Sequence, residues 1–296
     1  MRMRVLLNNT FLVHLKYSKA KAECQAFFEK TKNYFVLVLT ATNAFFIMEN
    51  TLQKEKGGIC LEEQFLRSAM LFGAEGIERL QNCHVALFGL GGVGGTCAEA
   101  LARAGIGALT LVDADTVALS NLNRQTVALH STLGMPKTQA AAHRLLDINP
   151  GLQLELHTLF FEQENSGMFP FATYDFCVDA IDSVRSKLLL LDCCRSAGTP
   201  LICCLGTGNK TDPSRLRVSD IYSTSVCPLA RVMRYECRRR GVERLTVVFS
   251  DEAPRVPHML EEPQNGKRTV PGSTSFVPPA AGLLLASYVV RELLAQ

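Results

Sequence analysis

Five glycines fall within the seven residues Gly89 to Gly95, "GLGGVGG". They follow a short apolar run at 83–88 and precede an Ala-rich stretch with helical spacing that Gly105 ends. Gly89, Gly91 and Gly94, with Gly92 between them, match G-x-G-x-x-G, a pattern that carries weight only where a strand enters it and a helix leaves. Both are written here. Without side chains the backbone turns tightly and comes close to phosphates, whose charge is met by free N–H groups at the helix N-terminus. Asp113 ends the next apolar run, about 20 residues past the loop, where a carboxylate accepts hydrogen bonds from ribose hydroxyls. The combination indicates an adenosine-containing nucleotide. It does not separate NAD from ATP, and a purely structural glycine turn is the alternative.

The rest of the chain from Leu61 alternates between two periods. Spacing predicts helices over 62–81, 93–104, 135–148, 184–197, 227–240 and 279–294, and strands over 83–88, 108–115, 152–157, 174–182, 200–205, 215–220 and 245–249. A polar loop rich in Pro and charge occupies 251–272. Strands alternating with helices of this length imply an α/β fold: a Rossmann-like, mostly parallel sheet flanked by helices, with a C-terminal extension of the sheet and a closing helix.

Residues 1–60 differ in character and read as an N-terminal extension, dispensable or produced from a mis-assigned start, since Met48 could itself initiate a chain holding all that follows. The apolar run Tyr34 to Met48 contains Thr40, Thr42 and Asn43 and is shorter than the roughly 20 residues a membrane span needs. It also lies far from Met1, without the small-residue cleavage pattern of a secretory signal. Eleven cysteines occur without regular spacing and without a C-x-x-C, in adjacent pairs such as Cys193-Cys194 and Cys203-Cys204. That suits a reducing, cytoplasmic setting better than a disulfide framework or a structural zinc site, and the apolar context of Cys203 and Cys204 places them in the core. The expected domain is thus 61–296, with no membrane partner.

The stretch "SNLNRQ", Ser120 to Gln125, followed by Lys137, discriminates between nucleotide chemistries. Holding a pyrophosphate needs only backbone dipoles, whereas splitting ATP between its α and β phosphates builds charge that fixed cations and a metal must meet. Arg124 and Lys137 supply cations, and Asp182, after the strand "FCVDAID", is placed to hold Mg²⁺ near the switch point of the sheet. Each has a plainer alternative: surface charge for the two cations, a helix cap for Asp182.

In this order the motifs resemble the adenylating domain shared by ubiquitin-activating enzymes and the bacterial enzymes that activate sulfur-carrier proteins (the ThiF/MoeB/HesA superfamily). Over 62–296 the stretches "ARAGIGALTLVDAD", "DAIDSVRSK" (Asp179 to Lys187) and "GSTSFVPPAAGLLLASYVVREL" (Gly272 to Leu293) are similar to the branch of tRNA threonylcarbamoyladenosine dehydratases. That resemblance implies an ATP-dependent ring closure on the modified adenosine beside the anticodon. The free carboxylate is adenylated with loss of pyrophosphate, after which the carbamoyl group cyclises and AMP departs. It implies Asp113 on the ribose, Arg124 and Lys137 on the phosphates, Mg²⁺ on Asp182, and a pocket shaped by Asn121, Asn123 and Gln125. It also implies that Arg67, in "QFLRSAMLFG", reaches the partner subunit's ATP in a homodimer. A monovalent cation and a cysteine desulfurase system are further expectations of the resemblance. Ser183 stands where the wider superfamily has Asn, in keeping with the dehydratase branch. Residues 269–277 hold no cysteine, which favours direct cyclisation over a covalent cysteine intermediate. His130 and His157 receive no role.

For tRNA, Arg231, Arg234 and Arg238 share one helical face, with Arg239 and Arg240 beside it, and Lys267 and Arg268 in the polar loop could add phosphate contacts. A solvated helix face is the alternative, because Glu236 and Glu243 dilute the charge. Three further functions compete with the RNA cyclase: adenylation of the C-terminal glycine of a ubiquitin-like sulfur carrier, an NAD-dependent oxidoreductase, which leaves Arg124 and Lys137 unexplained, and a non-catalytic nucleotide-binding module.

Overall fold

The computed structural model describes the backbone of residues 2–7 and 11–16, and residues 61–258 and 271–296 with their side chains. The chain divides into two units, Met1–Cys60 and Leu61–Gln296. In the first, β1 (Arg2–Leu7) pairs antiparallel with β2 (Phe11–Lys16), from Arg2 opposite Lys16 to Leu7 opposite Phe11. The residue pattern predicts no element there. The apolar run 34–48 lies outside the described residues, as do Lys267 and Arg268.

The second unit is built on seven strands: β3 (His84–Phe88), β4 (Ala108–Val112), β5 (Gln153–His157), β6 (Phe176–Asp179), β7 (Leu201–Cys204), β8 (Leu216–Asp220) and β9 (Thr246–Ser250). Their order is β5-β4-β3-β6-β7-β9-β8, all neighbours parallel except the edge strand β8, which runs antiparallel to β9. The chain therefore winds outward from β3 in one direction, then returns to β6 on its other side. That reversal opens a crevice beyond the carboxyl ends of β3 and β6, where ligands of open α/β sheets bind.

Helices α1 (Leu66–Gln81), α2 (Gly94–Ala104), α3 (Lys137–Ile148), α4 (Val184–Ala197), α5 (Pro228–Arg239) and α6 (Val277–Ala295) flank the sheet. Alternation along β3 sends Val85 and Leu87 into the core shared with α2 and α6, and Ala86 and Phe88 into the opposite core. There Phe88 meets the rings of Phe161 and Phe169 at 4.9 and 5.4 Å. Both faces are covered, so the strand reads as a continuous apolar run. α6 lies so close to α2 that a Cβ on Gly282 would stand 2.3 Å from the carbonyl oxygen of Val93.

Element bounds differ from expectation where local chemistry intervenes. The first helix begins as a tight turn at Glu63–Phe65 and kinks at Gly73, which has φ 76°. Pro136 is extended and forms a bridge with Thr116, so α3 starts only at Lys137. Pro278 and Pro279 sit in the first turn of α6, where a missing N–H is harmless, so that helix starts earlier than predicted.

Candidate nucleotide and adenylation site

The glycine turn joins β3 to α2 at the switch point, and its glycines have different jobs. Gly89 has φ 95°, and a Cβ there would lie 2.6 Å from the carbonyl oxygen of Ala180. At Gly94 a Cβ would fall 1.7 Å from the oxygen of Gly89, and at Gly92 it would lie 3.1 Å from Arg124 O and from Pro278 Cβ. Packing requires glycine at Gly89 and Gly94, and at Gly92 it leaves only a tight fit. Gly91 has no neighbouring atom within 4 Å of its Cβ position. The open space over Gly91, at the N-terminus of α2, is where a phosphate fits.

Asp113 is fastened to this turn. Its Oδ2 accepts the Leu90 N–H at 2.6 Å and its Oδ1 accepts the Asp115 N–H at 2.8 Å. Burial pushes its carboxyl above the usual range, and the Lys137 ammonium and the two N–H groups offset this only in part. Lys137, the first residue of α3, is only 4% exposed. Its Nζ lies 2.6 Å from Asp115 Oδ2 and 3.8 Å from Asp113 Oδ1. The lysine expected on the phosphates is thus held between two carboxylates at the ribose end, and Asp115 is a site residue that sequence reasoning missed.

The loop "SNLNRQ" passes over the turn. Arg124 donates from Nη1 to Ser120 O at 3.1 Å and to Asn123 Oδ1 at 2.8 Å, and its Cγ lies beside Gly92. Burial pulls its pKa below the ordinary guanidinium value, and no carboxylate pairs with it among the described residues. Asn121 accepts the Ala118 N–H at 3.1 Å, and Asn123 donates to Ser273 O at 3.1 Å, so both shape the loop through the backbone. Gln125 is 7% exposed, and its Oε1 and the adjacent Thr126 Oγ1 are buried without a hydrogen-bond partner. Buried orphaned acceptors are uncommon in folded proteins, and a bound group that donates to them would complete the site.

Asp182 is exposed, two residues beyond Ala180, whose backbone lies under Gly89. The cap of α4 is Ser183, which accepts the Ser186 N–H at 3.4 Å, so the capping alternative for Asp182 does not hold. Beneath it, Asp179 and Lys187 form a wholly buried ion pair at 2.9 Å. Lys187 also donates to Cys204 O at 2.7 Å. Burial opposes the charge on Lys187, but the Asp179 carboxylate outweighs it and the ammonium's pKa is raised. The two residues are the ends of the quoted "DAIDSVRSK", which was the only signal for this pair. Cys203 and Cys204 are buried as expected, and burial raises both thiols, strongly for Cys203, which leaves them inert.

The structure thus brings together the glycine turn, Asp113, Lys137, Arg124, Gln125 and the approach to Asp182. Arg67 is exposed on α1, with no hydrogen bond or ion pair among the described residues, beside the exposed side chains of Leu66, Met70, Leu71 (82% exposed) and Phe72. The arginine stripe is only partly as expected. Arg234 turns back to Thr224, donating to its carbonyl at 3.0 Å and to its hydroxyl, and Arg238 lies over the Tyr222 ring at 5.3 Å. Arg231 is exposed, and its side chain makes no hydrogen bond or ion pair among the described residues. His157, which the sequence reading gives no role, pairs with Glu155 at 2.9 Å and packs on Phe169.

A model described as the ThiF family matches residues 65–295. The tRNA threonylcarbamoyladenosine dehydratase of Bacillus subtilis (strain 168) is 40% identical over 240 residues, covering 78% of this chain and 94% of that protein. The crystal structure of the E. coli tRNA N6-threonylcarbamoyladenosine dehydratase in complex with ATP superposes with a TM-score of 0.72 at 32% identity, covering 79% of this chain and 94% of that one. The adenylyltransferase and sulfurtransferase MOCS3 of Drosophila willistoni is similar over a shorter stretch, 37% identical over 131 residues, or 44% of this chain and 28% of that protein.

Proposed function

The chain belongs to the ThiF family, and from that premise we propose that it is an ATP-dependent tRNA threonylcarbamoyladenosine dehydratase, acting through an acyl-adenylate within residues 61–296. The observation that carries the chemistry is Arg124: a half-buried side chain with no carboxylate partner among the described residues, its Cγ 3.2 Å from the Cβ position of Gly92, the residue after Gly91. A site that only bound a nucleotide could rely on backbone dipoles. A fixed, uncompensated cation there serves charge that grows during phosphoryl chemistry.

With ATP's phosphates over Gly91 and its ribose on Asp113, the substrate carboxylate attacks the α-phosphorus. A carboxyl-oxygen to phosphorus bond forms, the bond to the β-phosphate's bridging oxygen breaks, and pyrophosphate leaves with the electron pair. The carbamoyl group then attacks the activated carbonyl, loses a proton, and expels AMP carrying the former carboxyl oxygen, so one water is removed overall. Arg124 and Lys137 hold the phosphates through this step, Lys137 by exchanging Asp115 for phosphate oxygens. Asp182, exposed beyond the carboxyl end of β6, fits Mg²⁺, an ion that keeps waters and shares nucleotide phosphates instead of needing a protein cage. Bound there, Mg²⁺ would neutralise charge on the departing pyrophosphate.

We assign the exposed face of Leu66, Met70, Leu71 and Phe72 to a homodimer, since a patch of that kind marks an interaction surface, and Arg67 to the partner subunit's phosphates. We also place the protein in a reducing compartment, because all nine described cysteines are free.

The test is incubation with ATP, Mg²⁺ and tRNA carrying threonylcarbamoyladenosine, followed by digestion and mass analysis. Loss of one water from the modified nucleoside, with stoichiometric AMP, is expected. ATP cleavage that requires a ubiquitin-like carrier protein and leaves the nucleoside unchanged would replace this function with the adenylyltransferase one.

A further inference from the structure

A cleft of about 630 Å³ lies between α4 and α5. It begins at Val184 and Arg185, in the first turn of α4 just past Asp182, and so opens beside the adenylation site. Its far end is closed by Arg240, which pairs with Glu236 and, at 3.4 Å, with Asp192. Arg240 balances one of those two carboxylates, and Arg185 and Glu162, the other charges lining the cleft, balance each other, which leaves the lining with one net negative charge. The outer wall is α5, where Val232 lines the cleft, Arg231 stands exposed without an ion pair among the described residues, and Tyr235 is 61% exposed with the Arg239 guanidinium 5.7 Å over its ring. The interior is therefore slightly acidic with polar edges, and the rim carries Arg231, an exposed aromatic ring and the Arg239 guanidinium, which also pairs with Glu236 at 3.2 Å.

A nucleotide complements that division of character: a flat, neutral base with hydrogen-bonding edges and an anionic phosphate. Acidic side chains inside the cleft disfavour a phosphate there but accept hydrogen bonds from base amino groups. Single-stranded RNA is bound in general by splaying bases into such pockets, stacking them on aromatic or guanidinium planes, and holding phosphates with arginine. We propose that this cleft is the subsite for the nucleotide adjoining the reacting adenosine. Its base enters between α4 and α5 against Val232, with its edge toward Glu162. The flanking phosphates lie on Arg185 and Arg231, and Tyr235 stacks the next base. The proposal rests on the RNA function above. It also revises the arginine stripe, since Arg234 faces inward and Tyr235 and Arg185 take its place.

The full chain with Val232→Trp, which fills the cleft from an exposed position, and with Tyr235→Ala tests this. On modified tRNA, each variant should raise KM by about tenfold, the scale of one lost base-stacking contact, with kcat and ATP affinity unchanged. Arg231→Ala should lower the slope of log affinity against log salt by about one. All three should turn over the isolated modified nucleoside as the unaltered chain does, since it has no neighbour to place. Unchanged KM for tRNA in both Val232→Trp and Tyr235→Ala overturns the subsite while leaving the dehydratase function standing. If the unaltered chain does not dehydrate tRNA, that function falls and the subsite with it. A Val232→Trp variant that instead blocks a ubiquitin-like carrier protein overturns the assignment to RNA.

Discussion

The ammonium of Lys137 lies 2.6 Å from the carboxylate of Asp115 and 3.8 Å from that of Asp113, so one lysine links the ribose end of the site to the loop that follows β4. Lys137→Ala should slow adenylation on the order of 10²- to 10³-fold, as expected for a preorganised electrostatic contact. Asp115→Asn removes the competitor for the ammonium and should tighten ATP binding by up to about fivefold. The effect is small because Asp115 is more than half exposed and its pairing is screened. Rapid-quench pyrophosphate release and nucleotide titration check the two. A normal adenylation rate in Lys137→Ala removes the lysine from the mechanism.

Gly91 and Gly94 are three residues apart and should respond oppositely to the same methyl group. Gly91→Ala meets open space, so it should change stability by less than about 1 kcal/mol yet weaken ATP binding at least about tenfold by filling the phosphate position. Gly94→Ala collides with the Gly89 carbonyl and should cost about 3 kcal/mol or more. Urea unfolding alongside ATP titration separates them. A stable Gly91→Ala protein with full ATP affinity would mean that the space over Gly91 is not the phosphate site.

The buried Asp179–Lys187 pair supports the strand and helix that carry Asp182. Lys187→Met leaves an unpaired buried carboxylate and should destabilise by about 3–5 kcal/mol, whereas adding Asp179→Leu should recover much of the loss. Because the folded pKa of Lys187 is raised, its contribution is complete below the ordinary lysine value and is lost only as pH rises through the folded one. The difference in urea midpoint between the unaltered chain and the Lys187→Met, Asp179→Leu double variant, which has no titrating group left at this position, should therefore stay flat from about pH 6 to about pH 9. A midpoint difference that fell steeply across that range would mean the lysine is neutral when folded.

Arg67 can be tested by mixing two inactive proteins. If it acts across a dimer, Arg67→Ala and Lys137→Ala subunits combined should form hybrids with one intact site, and turnover should return toward about a quarter of the normal rate under random pairing. No recovery, with hybrids shown by native mass spectrometry, would place Arg67 outside the site.

The repeating periods of apolar residues determined the strands and helices of 61–296, because each period records which face of one element meets a core. The glycine turn, Asp113 and "SNLNRQ" pointed to a nucleotide site at the start of α2, because those features are local in the chain. Other features were decided by tertiary structure alone. Gly89 is compulsory because Ala180, 91 residues away, passes beneath it, and Lys137 is tethered because Asp115 is brought to the start of α3. Arg234 leaves the stripe its spacing suggests because the turn at Thr224 folds back against α5. Side-chain spacing states what an isolated helix or strand would present, whereas the partner of each charge depends on which distant segments close around it.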